Sequence, residues 1–179
     1  MGMNRDGSGS VSGGPKWPLT GQGRAQQSGK LLNALMRRRP DMAGIDRGGR
    51  APLHYAALAN DADATSELLT GGADPNIADR RGFTPLHFAA QEGATTTAEI
   101  LLAAGARVDA TDSYGNTPLS TAVFNSRGRG DLIRLLRRYG ADPWQANNTG
   151  QTPVGLARLI ANYDVAQFFA DLTCPEPKT

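Results

Sequence analysis

The chain has 179 residues with a formal net charge of +2, 39% hydrophobic residues and only 6% aromatics. That balance is too small to imply a polyanion partner. The single cysteine, Cys174, excludes an intramolecular disulfide and a cysteine-based zinc site, which suits a reducing, cytoplasmic setting. No apolar run approaches the roughly 18 residues of a membrane span.

Residues 1–28 read as a disordered tail, rich in glycine and serine with little to bury. The tail has no apolar core of a secretory signal. Gly2 is followed by Asp6, where a myristoylation motif wants Ser or Thr. Gly29-Lys30 leads to Leu31 rather than Ser or Thr, so a phosphate loop is also excluded. From Lys30 the pattern turns helical: Leu31, Leu32, Leu35 and Met36 share a face, and Arg37-Arg38-Arg39 precede Pro40. Arginines in a last turn complement the helix dipole. This segment is expected to be half of a repeat, 30–45, covering the start of a stack.

The next pattern recurs. Gly49-Arg50-Ala51-Pro52-Leu53-His54-Tyr55-Ala56-Ala57 returns as Gly82-Phe83-Thr84-Pro85-Leu86-His87-Phe88-Ala89-Ala90, then as Gly115-Asn116-Thr117-Pro118-Leu119, and more loosely as Gly150-Gln151-Thr152-Pro153-Val154. Pro52, Pro85 and Pro118 are spaced by 33 residues. Each copy reads as a turn glycine, a helix cap such as the Thr84 hydroxyl, and a proline at the first helical position. Paired alanines follow, where a neighbouring helix can come close. A second helix ends in Leu68-Leu69, Leu101-Leu102 or Leu135-Leu136, and Gly72, Gly105 and Gly140 stand where a left-handed cap is needed. The repeats are set at 46–78, 79–111 and 112–146, with a closing unit at 147–172 and a frayed end at 173–179. Fraying is expected to begin as early as Asp171. The third repeat carries two extra residues in Ser126–Asp131, which include an Arg129-Gly130-Asp131 tripeptide read as chance.

A T-P-L-H-x-A motif at a 33-residue period resembles the ankyrin-repeat family. The resemblance covers 29–172. It implies an all-α solenoid of stacked helix-loop-helix pairs, with projecting β-hairpin fingers beginning at Asp46, Asp79 and Asp112. It also implies structural roles for His54 and His87, which hydrogen-bond to neighbouring backbone.

For function, the resemblance implies binding of a partner protein on the concave face, by fingers and first helices. By register the candidate residues are Arg47, Arg50, Arg80, Arg81, Phe83, Tyr114, Asn116, Phe124 and Asn125. The first two fingers are basic, and Phe83, Tyr114 and Phe124 are aromatics that packing within a repeat does not demand. Arginine beside exposed aromatics is typical of binding hot spots. The alternative is that Phe83 folds back on its own finger and Phe124 packs against the enlarged loop. Nothing groups as a catalytic triad or carboxylate pair, so neither an enzyme nor a cofactor or metal is expected. Asn116–Gly128 and Ile160–Val165 look like compact bacterial ankyrin-repeat proteins, some thought to be cytosolic immunity partners that block a toxin's active site. That likeness implies an acidic partner surface and a cytoplasmic setting; the oligomeric state is left open, with a monomer expected. Competing readings are a scaffold or regulatory subunit and, with less support, a nucleic-acid binder. The arginines suggest the latter, but the balanced acidic count and the absence of a recognised motif oppose it.

Overall fold

In a computed structural model of the chain, residues 44–160 and 162–172 are described. The expected tail at 1–28, the helix after Lys30 and the end at 173–179 lie outside the described residues. Among these residues, seven helices form three pairs and a final single helix. Helix α1 (Pro52–Leu58) precedes α2 (Ala62–Thr70), α3 (Pro85–Glu92) precedes α4 (Thr95–Ala103), and α5 (Pro118–Asn125) precedes α6 (Asp131–Arg138). A last first-helix, α7 (Pro153–Leu159), is followed by a 3-10 turn at Ala166–Phe169 instead of a second α-helix.

The stack is built by the first helices, α1 on α3, α3 on α5 and α5 on α7, with α2, α4 and α6 forming an outer row. Small side chains make this possible. Ala56, Ala57, Ala89, Ala90, Ala122 and Ala157 are buried between the helices, and Leu53, Leu86, Leu119 and Val154 fill the same position in successive units. Leu101, Leu102, Leu135 and Leu136 are buried where the outer helices meet this layer. Burying one such leucine contributes roughly 1.5–3 kcal/mol, so interfaces between units hold the stack. The expected caps are present: φ is +88°, +90° and +88° at Gly72, Gly105 and Gly140. The enlarged segment in the third repeat lies between α5 and α6, as its sequence position requires.

Two expectations are corrected. The fingers form turns, and among the described residues no strand is assigned. Each turn closes on itself, Asp79 N–H to Phe83 C=O at 2.9 Å and Asp112 N–H to Asn116 C=O at 3.0 Å. Only isolated bonds link one turn to the next, such as Arg80 N–H to Gly48 C=O at 2.9 Å and Ser113 N–H to Arg81 C=O at 2.8 Å. A strand ladder needs more pairs than this geometry offers. Fraying from Asp171 is the second: Asp171 accepts two bonds from Arg137, whose Nη1 also donates to Phe168 C=O at 2.6 Å. Leu172 packs against the core beyond it.

The finger glycines separate two constraints. Gly82 has φ +77° and Gly150 φ +80°, both in the left-handed region that side chains disfavour. A Cβ on Gly82 would also sit 3.0 Å from Asp112 Cα in the next finger, whereas one on Gly150, at the end of the stack, would meet nothing within 4 Å. Gly150→Ala should therefore cost only the backbone strain, about 1–2 kcal/mol. Gly82→Ala should add an overpacking cost of about 1–3 kcal/mol. Urea unfolding of the two variants measures the difference, and equal losses would show that the fingers are not in contact.

Candidate functional site

The fingers are organised by one side chain each. Asp46 Oδ1 accepts from the N–H groups of Gly48 (2.7 Å) and Arg50 (2.9 Å), and Asp79 Oδ1 from Arg81 (2.8 Å) and Phe83 (3.0 Å). Asp112 Oδ1 does the same for Tyr114 and Asn116, both at 2.8 Å, and Asn147 Oδ1 for Thr149 (3.0 Å) and Gln151 (2.9 Å). A short acceptor bonding its own backbone two and four residues on is what makes Asp and Asn turn residues. One oxygen of the acid beside each arginine pair is thereby consumed by the turn. Tyr55 also donates its hydroxyl to Asp46, and that bond is the leading reason the carboxyl sits below its usual range.

Behind the fingers lie the histidines. His54 Nδ1 accepts the Ala51 N–H at 2.9 Å, and His87 Nδ1 accepts the Thr84 N–H at 3.1 Å. Each imidazole thus makes the half of a capping box that a Glu or Gln at the third helical position ordinarily makes. With Nδ1 an acceptor, Nε2 carries the hydrogen. It donates to Phe83 C=O at 3.0 Å from His54 and to Asn116 C=O at 3.1 Å from His87. The Thr84 hydroxyl, expected to serve the helix cap, lies 2.9 Å from His87 Nδ1. The hydroxyls of Thr117 and Thr152 do accept a helical N–H, from Ser120 at 3.2 Å and Gly155 at 3.0 Å.

The candidate binding residues divide by partner. Arg47, Arg80 and Arg81 are exposed and form no ion pair among the described residues. The Arg81 guanidinium lies 5.3 Å from the Phe83 ring centroid and 5.8 Å from that of Tyr114, joining two fingers. Tyr114 is 56% exposed and Phe124 72% exposed. Phe83 is half-buried and packs on His87 and Phe88, with ring centroids 5.3 and 5.7 Å away. Arg50 pairs with Asp79 at 3.4 Å and lies 5.1 Å from the Phe88 centroid. The side chain of Asn116 donates to Asp112 and accepts from Asn147, and Asn125 donates to Thr121 C=O. Arg47, Arg80, Arg81, Tyr114 and Phe124 are therefore the candidates that retain free surface.

A groove of about 590 Å³ runs along the first helices from Phe83 to Leu156. Two exposed residues of the last unit were not among the candidates. Leu159 (70% exposed) stands six residues after Pro153, in the register of Phe124 after Pro118. Tyr163 (47% exposed) follows it. The register of Phe124 was the signal that could have found Leu159.

A family model for ankyrin repeats (3 copies) matches residues 24–112 and 53–147. The chain belongs to the ankyrin-repeat family. Its members are generally protein–protein interaction modules and typically non-catalytic. No curated protein matches the chain. Among the described residues of this ankyrin stack, no group of three or more His, Cys, Asp or Glu is placed to hold a metal ion, and no helix is long and apolar enough to cross a membrane.

Two outcomes follow from the geometry. Asp79→Ala should lose about 1.5–3 kcal/mol, as expected for hydrogen bonds to a charged group. Asp79→Asn, which keeps the Oδ1 acceptor as Asn147 does, should lose less than half of that in denaturant titrations. The second concerns pH. Burial holds both imidazoles below their usual pKa, against the opposing effect of the carbonyls they bond. The unfolded chain takes up protons near pH ~6.5 while the folded chain refuses them. Stability should therefore be full above that value and fall as the pH drops toward the depressed folded values. The chain has only two histidines, so a melting temperature that stays flat from neutral to mildly acidic pH would contradict the assignment.

Proposed function

We propose that the chain is a non-catalytic module that binds a partner protein through its finger face, with Arg80, Arg81 and Tyr114 at the centre of contact. The observation that carries this reading is the Arg81 guanidinium held between the rings of two successive fingers, with no carboxylate paired to it among the described residues. Family membership supports the class of function. Cations left unpaired at a rim steer and select an acidic surface. A flat, exposed aromatic beside them supplies apolar contact at low conformational cost. Arg47 extends the charge on the first finger. Phe124 extends the aromatic area along α5. The reading takes the chain to act as a cytoplasmic monomer. Blocking a toxin's active site is one form that such binding takes, and it rests on the sequence resemblance of residues 116–128 and 160–165.

Capture with tagged chain from the lysate of its native host, followed by binding kinetics on the captured protein, tests the reading. Tyr114→Ala should chiefly raise the off-rate, since it removes a contact that the complex desolvates. Arg80→Glu with Arg81→Glu should slow association and weaken its dependence on salt. Phe83 is unsuited to this comparison, because its ring also packs on His87 and Phe88. Folded variants with unchanged kinetics would remove the finger face from consideration.

A further inference from the structure

The groove differs along its length. At one end stand Arg81, Phe83 and Tyr114 on the fingers, and at the other Phe124 with Leu156, followed by Leu159 in register. Between them the floor is lined by side chains that carry amides. Gln91, Asn125 and Gln151 keep carbonyl oxygens that accept no bond among the described residues. The carboxylate in this lining, Asp112, is already engaged by Tyr114 N–H, Asn116 N–H and the Asn116 amide.

The geometry points to an extended segment of the partner, lying along this groove with an acidic residue at Arg81 and a large apolar residue at Phe124. This rests on the protein-binding reading above and specifies what occupies the site. Three physical arguments lead to it. Carboxamides both donate and accept, so they pair with the unpaired N–H and C=O groups of an extended backbone, whereas a helix has already satisfied its own. The Arg81 guanidinium at one end, without an ion pair among the described residues, complements a carboxylate, and Arg presents a planar fork suited to it. The apolar end offers Phe124, 72% exposed, and the next unit carries Leu159, 70% exposed, at the same register. The spacing follows from the helix between the two ends. Helix α5 has eight residues, about 12 Å at ~1.5 Å per residue, which an extended chain covers in about four residues at ~3.3 Å each. Residues four apart on an extended chain point to the same side. The expected pattern is therefore an acidic residue about four positions from a Leu, Ile, Phe or similar side chain.

The probe is a library of random dodecapeptides displayed on phage and selected against the full chain. Enriched peptides should carry the acidic residue and the apolar residue about four positions apart. A synthetic peptide of the enriched sequence should bind at least about tenfold more weakly to Arg81→Glu, and likewise to Phe124→Ala, the loss expected of a hot-spot contact. Exchanging the peptide's acidic residue for Lys should restore binding to Arg81→Glu. Both substituted side chains are exposed, and circular dichroism checks that each variant is folded. Enrichment of a helical spacing of seven, binding indifferent to both variants, or no enrichment at all would overturn the inference. So would displacement of the peptide by single-stranded dT12 with tighter binding of the oligonucleotide. If peptides fail while the captured partner still depends on Arg80 and Arg81, the finger face binds a folded surface, and only the extended occupant is excluded.

Discussion

The register of the first three fingers depends on a neutral imidazole that has two jobs at once. One nitrogen of His54 or His87 closes the start of its own helix, and the other reaches the carbonyl of the following finger. The first job sets the direction of the ring, and the second uses that direction to fix the distance between units. A protonated ring could not do both, because Nδ1 would face a backbone N–H with a hydrogen of its own. The fingers behind which these rings sit are thereby held in register with the helices. His54 also meets Phe88 edge-on with ring centroids 5.5 Å apart, so the polar stitch lies inside the apolar stack.

The stitch changes toward the C-terminal end. Ser120 occupies the histidine position in the third repeat and is too short to reach the next finger. There the bond from Asn147 to Asn116 at 2.8 Å and the bond from Asn148 to Ser113 C=O at 3.1 Å join the fingers instead. Outside the fingers, Asn76 bonds to Gly105 and Arg107, and Asp109 accepts from Asp142 N–H. Burial raises the Asp109 carboxyl. The last unit closes on Phe168 and Phe169, both buried, with the Arg137 guanidinium 5.4 Å from the Phe169 ring. A clamp of that kind replaces the missing second helix.

Much of this was legible in the residues. Period, helix starts and the cap glycines follow from local chemistry, because a proline at the first turn and a glycine past the last one leave few alternatives. The buried leucine and alanine positions follow from the same register. What the sequence concealed was choice of partner. Asp79 and Asp112 look like charges that interrupt a basic series, whereas one oxygen of each is spent on turn N–H groups. Arg50 and Asn116 look like free finger residues, yet each has a partner from a neighbouring unit, Asp79 and Asn147 respectively. Such distinctions depend on contacts from one unit to the next. Leu159 was missed because the last repeat departs from the motif, and Asp171 because its clamp comes from a helix 34 residues earlier.

The surface is a consequence of this order. Arg81 can bridge Phe83 and Tyr114 only if two fingers keep a fixed spacing, and Phe124 can extend their area only if the first helices stay in register with them. The measurement that addresses the claim most directly is a long-range proton–nitrogen correlation spectrum of the two imidazoles at neutral pH. The account predicts two neutral rings, each with hydrogen on Nε2 and a bare Nδ1. Hydrogen on Nδ1, or rings averaging between the two forms, would contradict it.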